Sequence, residues 1–395
     1  MPWQEVSLME RRKEFVRLAE QEGANVSALC RHFGISRKTG YKWLGRAAAD
    51  PHEAFADRSR RPHSSPCRTP AAPEAAVLAL RQAHPSWGGR KIRRRLQDLG
   101  SGAVPAASTI SAILHRHGRL DPEQAAKHTA LRRFEHPHPN ALWQMDFKGH
   151  FATLDGRCHP LTVLDDHSRY ALCLAACANE AGATVRAQLI RTFERYGLPE
   201  RMTMDNGSPW GGEAGAGYTP LTVWLLRLGI RCSHSRPYHP QTQGKDERFH
   251  RTLKAELLQG PPFADLAACQ RAFERWRGIY NLERPHEALG LLVPATRYRV
   301  SPRSYPGAAP EPVYGPGDTV RRVHDHGWIS VRGRWYKLPK AFAGERVALR
   351  PTATDGLCDV FFVVQRIAQV DLRDALNHSQ PVTHVSEQVS PISPV

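Results

Sequence analysis

Three carboxylates in the central part of the chain could act together in one site. Asp146 lies inside the strand-like run 143–147, Asp205 follows a short predicted strand, and Glu247 falls in the first turn of a predicted helix. A lone charge buried in a strand is costly, so Asp146 needs a compensating group. An arginine, a hydrogen-bond network or a divalent cation would supply it, and only the shared cation requires further acids downstream.

Carboxylates at two strand positions and one helix start can converge at one edge of a sheet. Oxygen ligands of this kind hold a pair of Mg²⁺ ions, with Mn²⁺ as an alternative, and such a pair promotes in-line displacement at phosphorus. Each acid also has an ordinary interpretation: Asp205 as a turn residue, Glu247 as an ion-pair partner of Arg251, and Asp146 as a partner of a buried arginine. The three together favour the metal site.

Neighbouring acids compete for these roles. Asp246 falls on the helical face of Phe249, whereas Glu247 falls on the polar face, so Glu247 is the preferred ligand. Asp165 and Asp166 lie in a turn between two predicted strands and fit a turn-forming role better than a catalytic one.

The charge of the chain indicates a polyanionic partner. Its 395 residues carry a net charge of +17, and residues 1–134 hold 24 Lys and Arg against 12 Asp and Glu. Excess positive charge of this size is typical of nucleic-acid binding. No apolar run reaches the length of a membrane span, and we expect a cytoplasmic protein that is nucleoid-associated when bound to DNA and has no membrane partner.

Two groups of short helices precede the carboxylates. We predict a helix-turn-helix domain over residues 1–48, a basic linker over 49–72, a second helix-turn-helix domain over 73–120 and a linker over 121–137. Basic and aromatic residues at the front of their helices are the predicted DNA contacts. They are Arg37, Lys38, Tyr41 and Lys42 in the first domain and Arg90 and Lys91 in the second.

The pattern then changes to that of strands. Residues 138–298 predict an α/β core with three antiparallel strands followed by alternating helices and strands. A Pro-rich linker over 299–317 leads to a small β-barrel over 318–370 and a disordered tail over 371–395. The fold class is therefore multidomain: all-α units, a central α/β core and a β-barrel.

Four segments carry a family resemblance. Residues 143–146, 163–170, 205–207 and 237–250 resemble the integrase-type catalytic core of DDE transposases, in the insertion sequence 481 family, which is related to the insertion sequence 3 elements and to retroviral integrases. The resemblance covers residues 135–295, and the two helix-turn-helix units match the family's layout.

The resemblance implies an RNase H-like core with Asp146, Asp205 and Glu247 as the metal-binding triad, and Lys245 and Arg248 as DNA contacts. It implies a transposase that binds terminal inverted repeats, cleaves 3′ ends and transfers them into target DNA. Double-stranded DNA is then the partner, and joining two ends requires a homodimer or higher oligomer. The gap of 41 residues between Asp205 and Glu247 exceeds the family's usual spacing, and we place the excess in a surface loop at 210–217.

Two other functions fit parts of the sequence. A degenerate relative would bind terminal repeats and repress transcription without cutting, but it would have no reason to keep the three carboxylates. An RNase H-like nuclease would act on RNA–DNA hybrids, which the tandem DNA-binding units make less favourable.

Overall fold

The computed structural model describes most of the chain, as two compact units formed by residues 1–68 and 69–395. Parts of the linkers predicted at 49–72 and 121–137 lie outside the described residues. No helix in the described part of the chain is long and apolar enough to cross a membrane. The described residues are 7–50, 55–57, 68–120, 135–211, 217–234, 244–373, 379–381 and 383–384.

The described part of the first unit contains three helices, within the helix-turn-helix domain predicted over residues 1–48. Each begins at a side-chain cap, Ser7, Asn25 or Ser36, whose oxygen accepts a backbone N–H of the first turn. The buried side chains that join the helices are Phe15, Val16, Cys30, Trp43 and Ala47. The helices are α1 (Leu8–Ala19), α2 (Val26–His32) and α3 (Arg37–Ala49).

A mixed sheet forms the centre of the second unit. Its central strand, β1, pairs with β3 on one side, antiparallel, and with β5 on the other, parallel. Strand β4 lies outside β3, β6 lies outside β5, and the short β2 pairs with the start of β3. The strands are β1 (Trp143–Phe147), β2 (Phe151–Ala152), β3 (Arg157–Asp165), β4 (Ala171–Cys177), β5 (Arg201–Met204) and β6 (Arg231–His234).

Helices cover both faces of this sheet. Because side chains alternate along a strand, Trp143 and Met145 of β1 join the core on one face with Phe193, whereas Asp146 points to the opposite face. That opposite face is packed by Phe249 and its neighbours. The helices are α7 (Gly182–Tyr196) and α8 (Pro220–Arg227) on the first face, and α9 (Gly244–Glu256) and α10 (Leu266–Leu282) on the second.

A second three-helix group is attached to α9 and α10. It consists of α4 (Ala71–Ala83), α5 (Gly89–Asp98) and α6 (Ala107–Arg116), and Ile279 of α10 packs against its core. The Ser86 hydroxyl donates to Glu256 at 2.7 Å, and Arg95 forms a 2.6 Å ion pair with Glu283. These contacts fix the group to the two helices that cover the second face of the sheet.

The C-terminal domain consists of two sheets, so the predicted closed barrel is wrong for the described residues. One sheet has the strand order β14-β12-β11-β10-β7 and the other β13-β9-β8, and no described pairing joins them into a ring. The strands are β7 (Thr319–Arg322), β8 (Trp328–Val331), β9 (Arg334–Lys337), β10 (Arg346–Pro351), β11 (Leu357–Phe362), β12 (Gln365–Asp371), β13 (Ser379–Pro381) and β14 (Thr383–His384).

The last two strands fall in the tail that the sequence analysis predicts to be disordered. Strand β13 pairs with β9 and β14 pairs with β12, so these short segments are ordered by strands that precede them in the chain. A sheet edge can order a segment through backbone hydrogen bonds alone. The side-chain composition of the tail therefore does not reveal this pairing. The remainder of the tail beyond residue 373 lies outside the described residues.

The side chain of Gln365 joins the C-terminal domain to strand β6. Its Oε1 accepts the Cys232 N–H at 2.8 Å, and its Nε2 donates to the Cys232 carbonyl at 2.9 Å. Gln365 is buried, so both ends of its amide are satisfied in the interior. Nearby, the rings of Tyr218 and Phe342 pack edge to face with centroids 5.0 Å apart.

Candidate catalytic site

Asp146 lies on the central strand, on the face covered by α9. Its carbonyl accepts a hydrogen bond from the Thr162 hydroxyl at 2.9 Å, across the β1–β3 pair. Burial, followed by the negative charges of Asp205, Glu180 and Glu247, raises the pKa of its carboxyl to about 7. Among the described side chains, no lysine or arginine is paired with Asp146 to neutralise its charge.

Asp205 lies beside Asp146 because of the strand register. The parallel pairing of Trp143 with Met202 and of Gln144 with Thr203, continued along both strands, brings Asp146 next to Asp205. Its Oδ1 accepts the Gly207 N–H at 3.0 Å, and its carbonyl accepts from His234 Nδ1 at 2.8 Å. The carboxylate is thus oriented by its own turn.

Trp210 is a site residue that sequence reasoning missed. Its indole N–H donates to Asp205 Oδ1, and its ring stacks on Phe147 with centroids 5.4 Å apart. The side chain is 1% exposed, so the surface loop predicted at 210–217 is wrong for its first residue. Residues 212–216 lie outside the described residues. Its position could have indicated this role, because Trp210 is a large aromatic residue at the start of a Gly-rich segment and lies five residues after the candidate ligand Asp205.

The two neighbouring acids of α9 point in opposite directions. Asp246 is fully buried with Phe249 and Leu253, and Glu247 is exposed, which confirms the predicted faces. Neither carboxylate oxygen of Asp246 has a hydrogen-bond partner among the described residues. Burial, and then the charges of Asp146 and Asp166, raise the pKa of Asp246 well above its usual value. The choice of Glu247 as the metal ligand stays a prediction.

Asp165 and Asp166 hold the turn between β3 and β4. Asp165 accepts the Asn140 N–H at 2.7 Å and the Ser168 N–H at 2.8 Å. Asp166 accepts the His136 N–H at 2.9 Å and the Gln144 side-chain amide at 2.9 Å. Their oxygens are used by these bonds, which supports the turn-forming role.

Lys245 is bound to this turn. Its ammonium group is paired with the Asp166 carboxylate and lies 3.3 Å from the Asp166 carbonyl. Burial lowers the pKa of Lys245 to about 8, an effect that the Asp166 charge opposes. In this structure Lys245 orders the start of α9, and its predicted contact with DNA stays a prediction, as does that of the exposed Arg248.

His250 is a neutral neighbour of Asp146. Its Nδ1 lies 3.9 Å from Asp146 Oδ2, and its Nε2 lies 2.9 Å from Thr162 Oγ1. Because the single Thr162 hydroxyl proton goes to the Asp146 carbonyl, Nε2 is the donor of the second bond. Burial, reinforced by Lys148, lowers the pKa of His250 to about 4. It therefore supplies no positive charge to Asp146 near neutral pH.

The donor set fits a hard divalent cation. In the described part of the chain, no three His, Cys, Asp or Glu side chains surround one common metal position. However, the candidate donors are carboxylate oxygens, and crowded negative charge surrounds Asp146. Oxygen ligands with excess negative charge are those that Mg²⁺ and Mn²⁺ prefer.

The predicted DNA contacts of the first unit share one exposed face of α3. Arg37, Lys38, Tyr41 and Lys42 are all exposed, and Tyr41 is 62% exposed. The buried Trp43 ring supports this face, because the Lys42 ammonium lies 4.6 Å from its centroid. The arrangement suits a helix that presents cations and a ring to a groove.

The two predicted contacts of α5 differ from each other. The Arg90 side chain is 72% exposed and lies 4.0 Å from Glu287. Lys91 is largely buried against the catalytic core, and burial followed by the Arg284 charge lowers its pKa to about 8. Of the two, only Arg90 presents an open cation in this structure.

The sheet order, the helices on both faces and the paired aspartates define an integrase-type catalytic core preceded by helix-turn-helix units. Residues 136–240 and 228–294 match the integrase core domain. Residues 11–63 match a helix-turn-helix domain, and residues 39–114 match a homeodomain-like domain. Residues 318–377 match the C-terminal domain of the IS481 family transposases. The resemblance to insertion sequence 481 transposases is therefore confirmed.

Two of the curated relatives come from insertion elements. An uncharacterized 39.2 kDa protein of insertion element IS476 from Xanthomonas euvesicatoria is 28% identical over 244 residues, which is 58% of this chain and 66% of the relative. An uncharacterized 31.7 kDa protein of insertion element IS407 from Burkholderia multivorans is 27% identical over 157 residues, 40% of this chain and 54% of the relative. The chain thus spans less than two thirds of either relative.

A solved structure of a simian T-cell lymphotropic virus intasome, in complex with the PP2A regulatory subunit B56 gamma, is also similar. It is 16% identical, with a TM-score of 0.36, over 80% of this chain and 100% of that chain. A structure of the HTLV-2 integrase catalytic core domain in complex with magnesium, in its trimeric form, is 15% identical, with a TM-score of 0.32, over 41% of this chain and 99% of that chain.

Proposed function

We propose that this chain is the transposase of an insertion sequence, a metal-dependent polynucleotidyl transferase. It cleaves the 3′ ends of its element and transfers them into target DNA. The observation that carries the proposal is the placement of Asp146 and Asp205 side by side on neighbouring parallel strands, within the residues that match the integrase core domain. Two aspartates so placed, with no lysine or arginine paired to either among the described residues, suit chemistry at a phosphate.

Asp146, Asp205 and Glu247 would hold the Mg²⁺ ions, which supply Lewis-acid activation of the attacking oxygen and neutralise charge at the phosphate. The protein's own groups position these carboxylates. The Trp210 indole and the Gly207 N–H fix the Asp205 rotamer. Binding two ions between preoriented carboxylates requires little rearrangement, which favours fast chemistry.

The helix-turn-helix units would bind the terminal inverted repeats, and the exposed face of α3 is the strongest candidate surface. The net charge of +17 supports non-specific attraction to the phosphate backbone. Because a strand-transfer reaction joins two element ends to one target, the active assembly is a homodimer or a higher oligomer on DNA.

A nicking assay tests the proposal. Labelled DNA carrying the inverted repeats that flank the coding region is incubated with the full chain and Mg²⁺ or Mn²⁺. We expect nicking at the element end, reduced at least about hundredfold by Asp146→Asn or Asp205→Asn, since each removes a metal ligand. Asp355→Asn changes an exposed carboxylate of the C-terminal domain and serves as the matched control.

The two alternatives give different results in the same assay. Binding without nicking, unchanged in Asp146→Asn, would identify a repressor and overturn the transposase proposal. Cleavage of an RNA–DNA hybrid in preference to the repeat DNA would identify a nuclease. Comparing Glu247→Gln with Asp246→Asn decides the third ligand, because nicking should be lost in the first variant and largely kept in the second.

A further inference from the structure

The C-terminal domain contains an open cleft that the proposed reaction does not use. It has a volume of about 450 Å³ and is lined by His324, Asp325, Trp328 and Trp335. Trp335 is 42% exposed, although a tryptophan of a small domain would normally bury more of its surface. Large exposed aromatic surface inside a concave site indicates a ligand with a flat apolar face.

A tight turn builds one wall of the cleft. The His324 N–H donates to the Trp328 carbonyl at 2.7 Å, and the Gly327 N–H donates to the His324 carbonyl at 3.0 Å. His326 and Gly327 adopt positive φ values of 61° and 89°. A Cβ at Gly327 would lie 2.3 Å from the Leu338 carbonyl oxygen, so this position requires glycine. The turn therefore holds His324 and Asp325 in fixed positions.

The antiparallel strands β8 and β9 build the other wall. Trp328 pairs with Lys337, and Trp335 pairs with Ser330, so both tryptophans lie on one hairpin. The His324 ring meets the Trp335 ring edge to face, with centroids 5.2 Å apart. This contact holds the Trp335 ring and leaves part of its surface open to the cleft.

The rim of the cleft is cationic. The Lys337 ammonium lies 4.9 Å from the Trp328 ring, and within the described ranges no carboxylate lies within 4.0 Å of it. Residues 318–373 contain ten Lys and Arg against six Asp and Glu, a net charge of +4. Lys337 therefore favours a phosphate at the rim. The negative charge of Asp325, which lines the cleft, disfavours a phosphate inside it.

We propose that this cleft binds one unpaired nucleobase of DNA, stacked on Trp335, with the adjoining phosphate at Lys337. The Asp325 carboxylate offers an acceptor to an amino group of the base. Base stacking on an aromatic side chain beside a cation is a general mode of single-strand binding. A paired base is enclosed by its neighbours in the duplex and cannot enter, so the cleft distinguishes unpaired ends from intact duplex.

This inference rests on DNA as the substrate of the proposed reaction, but its test needs no catalysis. In EDTA, the full-length protein is titrated with two labelled duplexes of the same sequence, one blunt and one with a short single-stranded overhang. Fluorescence anisotropy gives the affinities. Trp335→Ala should weaken overhang binding roughly 5- to 100-fold and change blunt-duplex binding little, since one stacked base is lost.

Two further variants keep the result interpretable. Trp335→Phe retains a ring and should restore most of the overhang preference, whereas Val364→Ala removes a comparably exposed apolar side chain outside the cleft lining and should change nothing. Overhang affinity that is unchanged in Trp335→Ala would overturn the proposal, as would an equal loss for both duplexes. A nicking-deficient protein with an intact overhang preference would instead count against the proposed catalytic function alone.

Discussion

Replacing Asp246 by Asn should stabilise this protein, and the gain should increase with pH. Asp246 is fully buried, and both of its oxygens are without partners among the described residues. Burial and two neighbouring carboxylates raise the pKa of Asp246 well above the ordinary value of 3.8. The folded chain therefore retains a proton that the unfolded chain releases, so rising pH favours the unfolded chain. Asparagine has the same shape and no proton to lose.

The size of the effect follows from this linkage. Each pH unit above 3.8, and below the folded-state pKa, costs 1.36 kcal/mol of stability. At pH 7 the ceiling is about 4 kcal/mol, reached if the carboxyl stays protonated throughout. The stability of Asp246→Asn relative to the parent should thus increase as the pH rises from 4 to 7, by at most about 4 kcal/mol.

Urea unfolding between pH 5 and pH 8, in EDTA and followed by tryptophan fluorescence, measures this difference. Asp355→Asn is the control, because Asp355 is exposed and its replacement should give a profile parallel to that of the parent. Parallel profiles for Asp246→Asn and the parent would refute the argument, since they would show that the buried carboxyl binds its proton equally in both states.

Two other predictions concern packing. Glu256→Ala should destabilise the protein by about 3–5 kcal/mol in urea unfolding. The Arg284 guanidinium lies 2.9 Å from Glu256 and is 9% exposed, so the substitution would leave a buried charge without this partner. A loss below about 1 kcal/mol would contradict a buried ion pair. In α3, Gly40→Ala places a Cβ 2.6 Å from Cys30 Sγ and should destabilise the first unit by about 1–3 kcal/mol. Gly45→Ala, which meets open space in the same helix, should instead stabilise it by about 0.5–1 kcal/mol, and thermal melting of both variants checks the opposite signs.

The sequence predicts the elements well where the chain has strong periodicity. The three helices of each N-terminal group and the strands that carry Asp146 and Asp205 are as expected, because caps, glycine turns and apolar spacing are local signals. Strand β1 ends at Phe147, and Gly149, with φ of 81°, lies in the break before β2. A two-residue strand such as Phe151–Ala152 is too short to show the alternation of apolar and polar residues by which strands are predicted.

Long-range contacts could not be predicted. Nothing local to Trp210 indicates that its indole reaches back to Asp205, because the bond depends on how the chain folds after β5. The same holds for Lys91, whose place at the front of α5 suggests DNA but whose ammonium is buried against the catalytic core. The closed barrel failed for a similar reason, since strand number and length do not reveal whether the outer strands of a sheet meet.

The Gln365 amide has a consequence for how the catalytic core can be studied in isolation. It bonds both backbone groups of Cys232, as an added strand would, and so shields the outermost strand of the central sheet. A fragment truncated after the core would expose that strand's N–H and C=O groups, and unpaired strand edges recruit other chains. The C-terminal domain thus covers a strand edge through which copies of the core could otherwise associate, in addition to any role with DNA.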